Sequence, residues 1–149
     1  MSRFVLPFCL LLLWSCCERP FPYAVHQELD DAQWDVTDTL RFGFPKASHD
    51  CDATLEVSVQ TLPDYEYRNL VVRVQQVSRG HVVASDTLSF CLMGADGKTL
   101  SQGFMHADTR SRRMTLHRWK GKSDTLLISH NMRLTSLQGV TGVTAFLSE

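Results

Sequence analysis

The sequence predicts an all-β domain, an antiparallel β-sandwich of jelly-roll kind. Apolar residues alternate with polar ones in about eight short segments beyond residue 34, and this period of two is typical of half-buried strands. Glycine, proline and aspartate separate the segments, and no stretch of 12 or more residues has convincing helical periodicity. Strands at such regular spacing favour a sandwich of two packed sheets.

The first four strands are recognised by their alternation and lie before residue 94. They are Asp38–Phe44, Leu55–Val59, Asn69–Val77 and His81–Met93. Pro45 ends the first strand and Pro63 ends the second, because proline cannot donate a ladder hydrogen bond. A tight turn at Ser78–Gly80 joins the third and fourth strands, so we expect these two to form an antiparallel hairpin.

Four further strands are expected after a turn signal with two glycines at Gly94–Lys98. They are Thr99–Met105, Met114–Leu116, Asp124–Met132 and Gly142–Leu147. His130 falls on the apolar face of the third of these, so we interpret it as a hydrogen-bonded core residue rather than a general base. Ser129–Leu137 is the one segment compatible with a helical turn.

The N-terminus has the features of a cleaved export signal. Arg3 precedes an apolar run of 11 residues, Phe4–Trp14, whereas a membrane-spanning helix needs about 20. The sequence Leu13-Trp14-Ser15-Cys16 resembles a bacterial lipobox, with leucine three residues before the cysteine and a small residue directly before it. We therefore expect residues 1–15 to be a signal peptide and Cys16 to receive lipid. A plain secreted protein cleaved nearby is the alternative.

The rest of the chain divides into a tether and one domain. Residues 16–33 are expected to form a lipid-anchored tether, because residues 18–33 contain two prolines, four acids and weak periodicity. Residues 34–149 have the length of a single β-sandwich domain with one core. Signal removal takes away one of the 15 basic residues and none of the 16 acidic ones, so the mature chain has a net charge near −2. This balance gives no general case for nucleic acid binding.

Three cysteines remain outside the signal and the lipid site. They are Cys17, Cys51 and Cys91. An oxidising compartment permits a Cys51–Cys91 disulfide, and a buried free Cys91 in its apolar strand is an equal alternative. No CxxC motif or His/Cys ligand spacing occurs in the sequence, so we expect neither a metal nor a cofactor.

Two groups of residues are candidates for partner binding. Arg110, Arg112 and Arg113 lie in a locally basic segment, Asp108–Lys122, which would attract anionic lipid headgroups or an acidic partner. Tyr65 and Tyr67 lie in the loop after the second strand. The alternative for the arginines is a solvated loop and strand face. No nucleophile motif, HExxH motif or phosphate loop is present, so we expect no enzyme.

The aromatic and acidic residues raise two alternative functions, sugar binding and glycoside hydrolysis. Sugar stacking would use the aromatic side chains Trp34, Tyr65, Tyr67 and Trp119. Packing in or around the core is the commoner fate of such side chains. Carboxylates flank Cys51 and Tyr65, and paired carboxylates can hydrolyse glycosides. In loops they more often form turns, so we expect no hydrolase.

Several segments, taken in order, resemble the GldH family of gliding-motility lipoproteins from Bacteroidota. The matching segments are Trp34–Pro45 (WDVTDTLRFGFP), Tyr65–Leu70, Asp86–Phe90, the Asp96-Gly97 turn, Gly103-Phe104, His130–Arg133, Leu137, Gly139-Val140 and Val143. In order and spacing they cover most of the chain after the tether, and the lipobox adds to the resemblance.

The resemblance implies an outer-membrane-associated lipoprotein that supports the gliding motility and type IX secretion apparatus without catalysing a reaction. Its partners would be the membrane, through lipid on Cys16, and other envelope proteins of that machinery. A carbohydrate-binding surface or periplasmic lipoprotein is the alternative, because sandwich folds host both roles. Aromatic faces exposed side by side would favour this alternative.

Overall fold

The described part of the protein consists almost entirely of strands. The computed structural model describes residues 23–44, 51–98, 100, 108–119 and 124–148. The strands are β1 (Tyr23–Glu28), β2 (Gln33–Asp35), β3 (Leu40–Gly43), β4 (Cys51–Thr61), β5 (Asn69–Ser78), β6 (His81–Cys91), β7 (Asp108–Trp119), β8 (Asp124–His130), β9 (Ser136–Gln138) and β10 (Val140–Ser148). A short 3-10 turn, Asp30–Ala32, lies between β1 and β2.

Eight of these strands form two antiparallel sheets of four. The first sheet has the order β1-β10-β4-β7, and the second has the order β3-β8-β5-β6. The short strands β2 and β9 pair as a separate ribbon. When these eight strands are numbered in chain order, the sheets read 1-8-3-6 and 2-7-4-5, which is the connectivity of a jelly roll. The predicted all-β sandwich is therefore confirmed.

The core lies between the two sheets and is built from alternate residues of each strand. In β4, Leu55, Val57 and Val59 are fully buried, whereas the residues between them face outward or toward small neighbours. Other buried apolar side chains of the core include Phe42, Leu70, Val72, Val74, Phe90, Leu126, Ile128, Val143 and Leu147. Burial of each such side chain is worth about 1.5–3 kcal/mol, so the facing sheets supply most of the folding energy.

Aromatic contacts close both ends of the sandwich. Phe44 and Trp119 pack edge to face with ring centroids 5.9 Å apart. Strand register places Tyr23 and the β5–β6 turn at this end, which we call the hairpin end. Trp34 packs against His130 at 5.7 Å beside the β2–β9 ribbon, at the opposite end, which we call the ribbon end.

Side chains bridge the seams between the edges of the two sheets. The Gln27 side-chain amide of β1 donates a hydrogen bond to the Arg41 carbonyl of β3. On the other side, Arg112 Nε of β7 donates to the Ser89 carbonyl of β6 at 3.1 Å. Unpaired carbonyls of edge strands invite pairing with another chain, and these two bonds occupy such groups.

The sandwich includes residues that the sequence assigned to the tether. Tyr23–Glu28 form β1 and pair with β10 along the edge of the first sheet. Side chains of β1 alternate between half-buried and exposed, because an edge strand is covered on one side only. The period is therefore weak in sequence, and the boundary predicted at residue 34 lies too late.

Ser129–Leu137, the one segment compatible with a helical turn, does not form one. The last strand of the second sheet continues to His130, and β9 then forms at Ser136–Gln138. The Asn131 amide also donates to the Val71 carbonyl, which extends the strand ladder by one bond. The predicted strand Thr99–Met105 falls outside the described residues except for Leu100.

The cysteines also differ from expectation. Cys51 is the first residue of β4 rather than part of a loop. Cys91 is an exposed free thiol, and its Sγ donates to the Met93 carbonyl at 3.3 Å. Both alternatives offered by the sequence, a Cys51–Cys91 disulfide and a buried Cys91, are therefore wrong.

Gly139, between β9 and β10, is expected to be intolerant of a side chain. Its φ is +88°, and a Cβ there would lie 3.3 Å from the Tyr65 Cα. We expect Gly139→Ala to lower the free energy of unfolding by about 1–3 kcal/mol, as measured by urea denaturation. Gly43→Ala is the matched control, since no atom lies within 4 Å of a Cβ at Gly43. Equal effects of the two substitutions would contradict this explanation.

Candidate binding site

A row of three cross-strand neighbours marks the outer face of the first sheet. Phe146 of β10 lies opposite Glu56 of β4, and Glu56 lies opposite Arg113 of β7. Their chain neighbours Ala145 and Val57 are buried in the core, so the alternation of a strand directs the row outward. We call Phe146, Glu56 and Arg113 the sheet-face row.

The charges of the sheet-face row are paired and open to solvent. Arg113 Nε donates to Glu56 Oε2 at 2.5 Å, while the Arg113 side chain remains 75% exposed. An exposed ion pair of this kind contributes about 0–1 kcal/mol to stability. The pair therefore has little structural role and is available to meet a partner.

A depression of about 390 Å³ adjoins the row and is also lined by Thr54 and Ser148. Phe146 is 37% exposed and is the one exposed Phe, Trp or Tyr among the described residues. An apolar ring, a carboxylate, a guanidinium and two hydroxyls thus line one surface. This mixture is typical of a non-covalent contact, in which an apolar anchor is surrounded by polar groups.

Small polar side chains keep the sheet face beside the row shallow. His26 Nδ1 lies 2.8 Å from Thr144 Oγ1, and Ser111 Oγ donates to Ser58 Oγ at 3.3 Å. Gly142 allows His26 to lie across the strand, because a Cβ at this glycine would come within 2.7 Å of His26 Cε1. Phe146 and Arg113 lie next to this group of polar side chains on the same face of the sheet.

The three predicted arginines are not brought together. Arg110 and Arg112 lie opposite the buried Val59 and Val57, so they occupy the inner side of β7, whereas Arg113 lies on its outer face. Arg110 is half-buried, and Arg112 bridges the seam to β6. Arg113 alone of the three belongs to the exposed sheet face.

The predicted tyrosine pair lies at the ribbon end. Tyr65 is buried, its hydroxyl donates to the Asn69 carbonyl at 3.3 Å, and burial raises its pKa, with a further contribution from Tyr67. Tyr67 is half-buried and packs edge to face on Tyr65 at 5.6 Å. The pair is therefore mainly a packing unit, with only Tyr67 in contact with solvent.

The four aromatics considered for sugar stacking are dispersed. Trp34 and Tyr65 are buried at the ribbon end, and Trp119 is buried at the hairpin end. Tyr67 is only half-buried. Aromatic faces exposed side by side, which sugar binding by these residues requires, are not formed.

His130 is a core histidine, as its position on an apolar strand face predicts. It is buried against Trp34, and the Met132 amide donates to its Nδ1 at 3.4 Å. Burial lowers its pKa below the usual 6.5, and the carboxylates of Asp35 and Asp38 only partly oppose this effect. Folding therefore favours the neutral form of this ring relative to an exposed histidine.

Carboxylates gather at the ribbon end around a second depression, of about 330 Å³. We call this the acidic groove; its acidic residues are Glu28, Asp30, Asp31, Asp35 and Asp38. The adjacent Ser136 hydroxyl lowers the pKa of Asp35, and so does the Gln33 side-chain amide, which donates to Asp35 Oδ1 at 3.1 Å. In the described ranges, no three His, Cys, Asp or Glu side chains are arranged to hold a metal ion.

Sequence reasoning missed both the sheet-face row and the acidic groove. Gly142–Leu147 was predicted as a strand, and its alternation already directs Phe146 away from Val143 and Ala145. The pairing of Phe146 with Glu56 depends on strand register, which alternation alone does not specify. The sequence assigns Glu28, Asp30 and Asp31 to the tether and Asp38 to the first strand, and nothing in it indicates that these acids converge with Asp35.

The described residues define an all-β sandwich domain with an exposed polar sheet face. The chain matches the model of the GldH lipoprotein family over residues 22–144. It therefore belongs to this family, and it is a gliding-motility-associated lipoprotein, anchored to a membrane of the cell envelope through lipid. No curated protein matches the chain. Within the described ranges, no helix has the length and apolar character needed to cross a bilayer.

Burial of His130 predicts a loss of stability on mild acidification. Its pKa is lowered in the folded state, so the unfolded chain binds more protons below pH 6.5, and stability falls as the pH drops from there through the folded-state pKa. We expect His130→Gln to flatten the decline in unfolding free energy between pH 7.5 and 5, measured by urea denaturation. His81→Gln, at an exposed position, is the control. An unchanged slope in the His130 variant would refute this assignment.

Proposed function

We propose that this protein is a non-catalytic accessory component of the gliding motility and type IX secretion apparatus, held at the outer membrane. The family match supports the association with motility. The sheet-face row is the observation that favours binding: an exposed aromatic ring beside a solvent-open ion pair has no evident role in holding the fold. The partner that suits it is another envelope protein.

Arg113 is the residue most suited to that contact among the five suggested by the sequence. Its guanidinium is largely exposed on a flat sheet face, and arginine is enriched where protein surfaces meet. Tyr65 is buried, so its substitution would disturb the fold, and the guanidinium of Arg112 is already engaged with the Ser89 carbonyl. Arg110 and Tyr67, both half-buried, are secondary candidates.

Anchoring is proposed to occur through Cys16 after removal of residues 1–15. A lipoprotein cysteine carries several acyl chains, and two or more chains hold a protein stably at a membrane. The lipid would then provide the attachment to the membrane. Outer-membrane residence follows the resemblance described above.

Carbohydrate binding is a second candidate, supported by the same row. A pyranose ring stacked on Phe146 would place its hydroxyls near the Glu56 carboxylate and the Arg113 guanidinium. A single exposed aromatic ring offers little surface for a sugar to stack on, so we prefer protein binding to carbohydrate binding. Titration calorimetry with soluble envelope polysaccharide separates the two candidates, because Phe146→Ala abolishes the heat of binding only if sugar binds at the row.

Substitution of Cys16 should abolish lipid attachment. We expect Cys16→Ala to lose incorporation of labelled palmitate, because the acyl groups then have no acceptor thiol at the lipobox. Cys17→Ala is the matched control and should still be labelled. Labelling that survives in Cys16→Ala and disappears in Cys17→Ala would shift the attachment site by one residue.

Charge reversal at the row should weaken partner capture. We expect Arg113→Glu to reduce crosslinking to motility or secretion components in the native envelope about tenfold, which corresponds to about 1.4 kcal/mol of binding energy. The reason is that two carboxylates would then face the partner at one point of the sheet.

Arg73→Glu is the matched control for this experiment. Arg73 is exposed between the buried Val72 and Val74, on the outer face of the second sheet, and donates to Asn131 Oδ1 at 2.8 Å. Urea denaturation of both variants checks that each remains folded. Capture that is equal in the two variants and the wild type would remove Arg113 from the contact, and capture of glycan alone would favour the second candidate.

A further inference from the structure

Strand register determines which end of the sandwich the anchored segment enters. Tyr23, the first described residue, lies opposite Leu147 at the hairpin end of the first sheet. The β5–β6 turn lies at the same end, because Ser78 pairs with both His81 and Asp124 there. The hairpin tip and the entry point of the chain thus lie at the same end of the sandwich, at its opposite edges.

The segment between the anchor and the fold is short. Tyr23 follows Cys16 by seven residues, and a fully extended chain spans at most about 3.5 Å per residue, or about 25 Å in this case. A lipid on Cys16 therefore holds the hairpin end within about one domain diameter of the bilayer.

The tip of the β5–β6 hairpin exposes apolar side chains. Val82 is 54% exposed and Val83 is 58% exposed. A β-bulge, which shifts the register between Gln76 and Val77, makes Val83 an extra residue. All residues of β6 from His81 to Thr87 are exposed, and Val82 and Val83 are the large apolar side chains among them. Exposed Arg79 adds a positive charge at the turn.

Charge is distributed unevenly between the two ends. The five carboxylates of the acidic groove lie at the ribbon end, where Arg133 is an exposed basic residue, whereas Arg79 and Asp52 are exposed at the hairpin end. Anionic headgroups attract basic groups and repel acidic ones near a membrane surface. This asymmetry favours an orientation in which the hairpin tip faces the lipid and the ribbon end faces away from it.

We infer that the hairpin tip, Arg79–Val83, is a membrane-contact surface that docks on the bilayer carrying the anchor. This inference rests on the proposed attachment at Cys16. The valines enter the boundary between headgroups and acyl chains, and Arg79 meets headgroup phosphates, as in other interfacial contacts. The sheet-face row and the ribbon end are then left accessible to partners.

Hydrogen exchange on vesicles tests the contact directly. The acylated mature protein is placed on vesicles of phosphatidylethanolamine and phosphatidylglycerol, and its amide exchange is compared with that of the chain lacking residues 1–16 in solution. We expect exchange in residues 79–85 to slow at least threefold. Peptides containing Val36, which is 46% exposed at the ribbon end, should exchange at equal rates in both samples.

Substitution of the valines tests the energetics. We expect Val82→Ser with Val83→Ser to lower the vesicle partition coefficient of the chain lacking residues 1–16 about tenfold, given the apolar area lost. Val36→Ser is the matched control and should leave partitioning unchanged. Urea denaturation checks folding, which both changes should preserve because the positions are exposed. Equal effects of the tip and control substitutions would overturn the proposed contact.

A second tether separates failure of the anchor from failure of the contact. Mass spectrometry first shows whether Cys16 carries acyl groups, and an N-terminal hexahistidine on nickel-chelating lipid then repeats the exchange measurement without them. Absent acyl groups would refute attachment at Cys16, and the nickel-tethered sample would still decide the contact. Unchanged exchange at residues 79–85 with both tethers would overturn the contact and leave the anchor standing.

Discussion

Burial of the central strands β4 and β10 is the constraint on which the rest of the structure depends. Their inner residues, Leu55, Val57 and Val59 on one strand and Val143, Ala145 and Leu147 on the other, are all essentially inaccessible to solvent. Because every second residue must face the second sheet, the intervening residues must face outward. Phe146 and Glu56 of the sheet-face row are two of these outward-facing residues. Register then brings the aromatic, the carboxylate and the guanidinium into line across three strands.

Local periodicity predicted the sandwich well, because most of its strands are long enough to repeat the period several times. Phe42, Val72 and Ile128 all occupy the faces that alternation gives them. Two strands that the sequence did not predict, β1 and β9, lie at the edges of the fold. The edge strand β1 buries no residue fully, and β9 has only three residues, so neither produces a clear pattern. Where burial is partial, the sequence contains little information about pairing.

Adjacent residues of one strand illustrate why the candidate site was harder to predict than the fold. Arg112 and Arg113 appear together as a basic pair in the sequence, yet they point to opposite faces of β7. Both are exposed, but Arg112 bridges the two sheets, whereas Arg113 lies on the outer face of the first sheet. Composition shows that such a segment is basic. Which face of the strand each arginine occupies depends on whether its position is odd or even in the strand and on the strand register. The same parity places Phe146 outside while its neighbours fill the core.

The two hydrogen bonds across the seams affect how copies of the protein meet in a crowded membrane. Lipoproteins anchored in one leaflet diffuse in two dimensions with the same end toward the lipid, so their sheet edges meet repeatedly in similar orientations. Gln27 and Arg112 occupy carbonyls on β3 and β6 that a neighbouring copy would otherwise use to extend the sheet. On β6, the Thr87 amide donates to Asp86 Oδ1 at 2.7 Å, so this backbone donor is occupied as well. A few side chains thus discourage lateral fusion of copies while leaving the broad faces of the sandwich available for specific encounters.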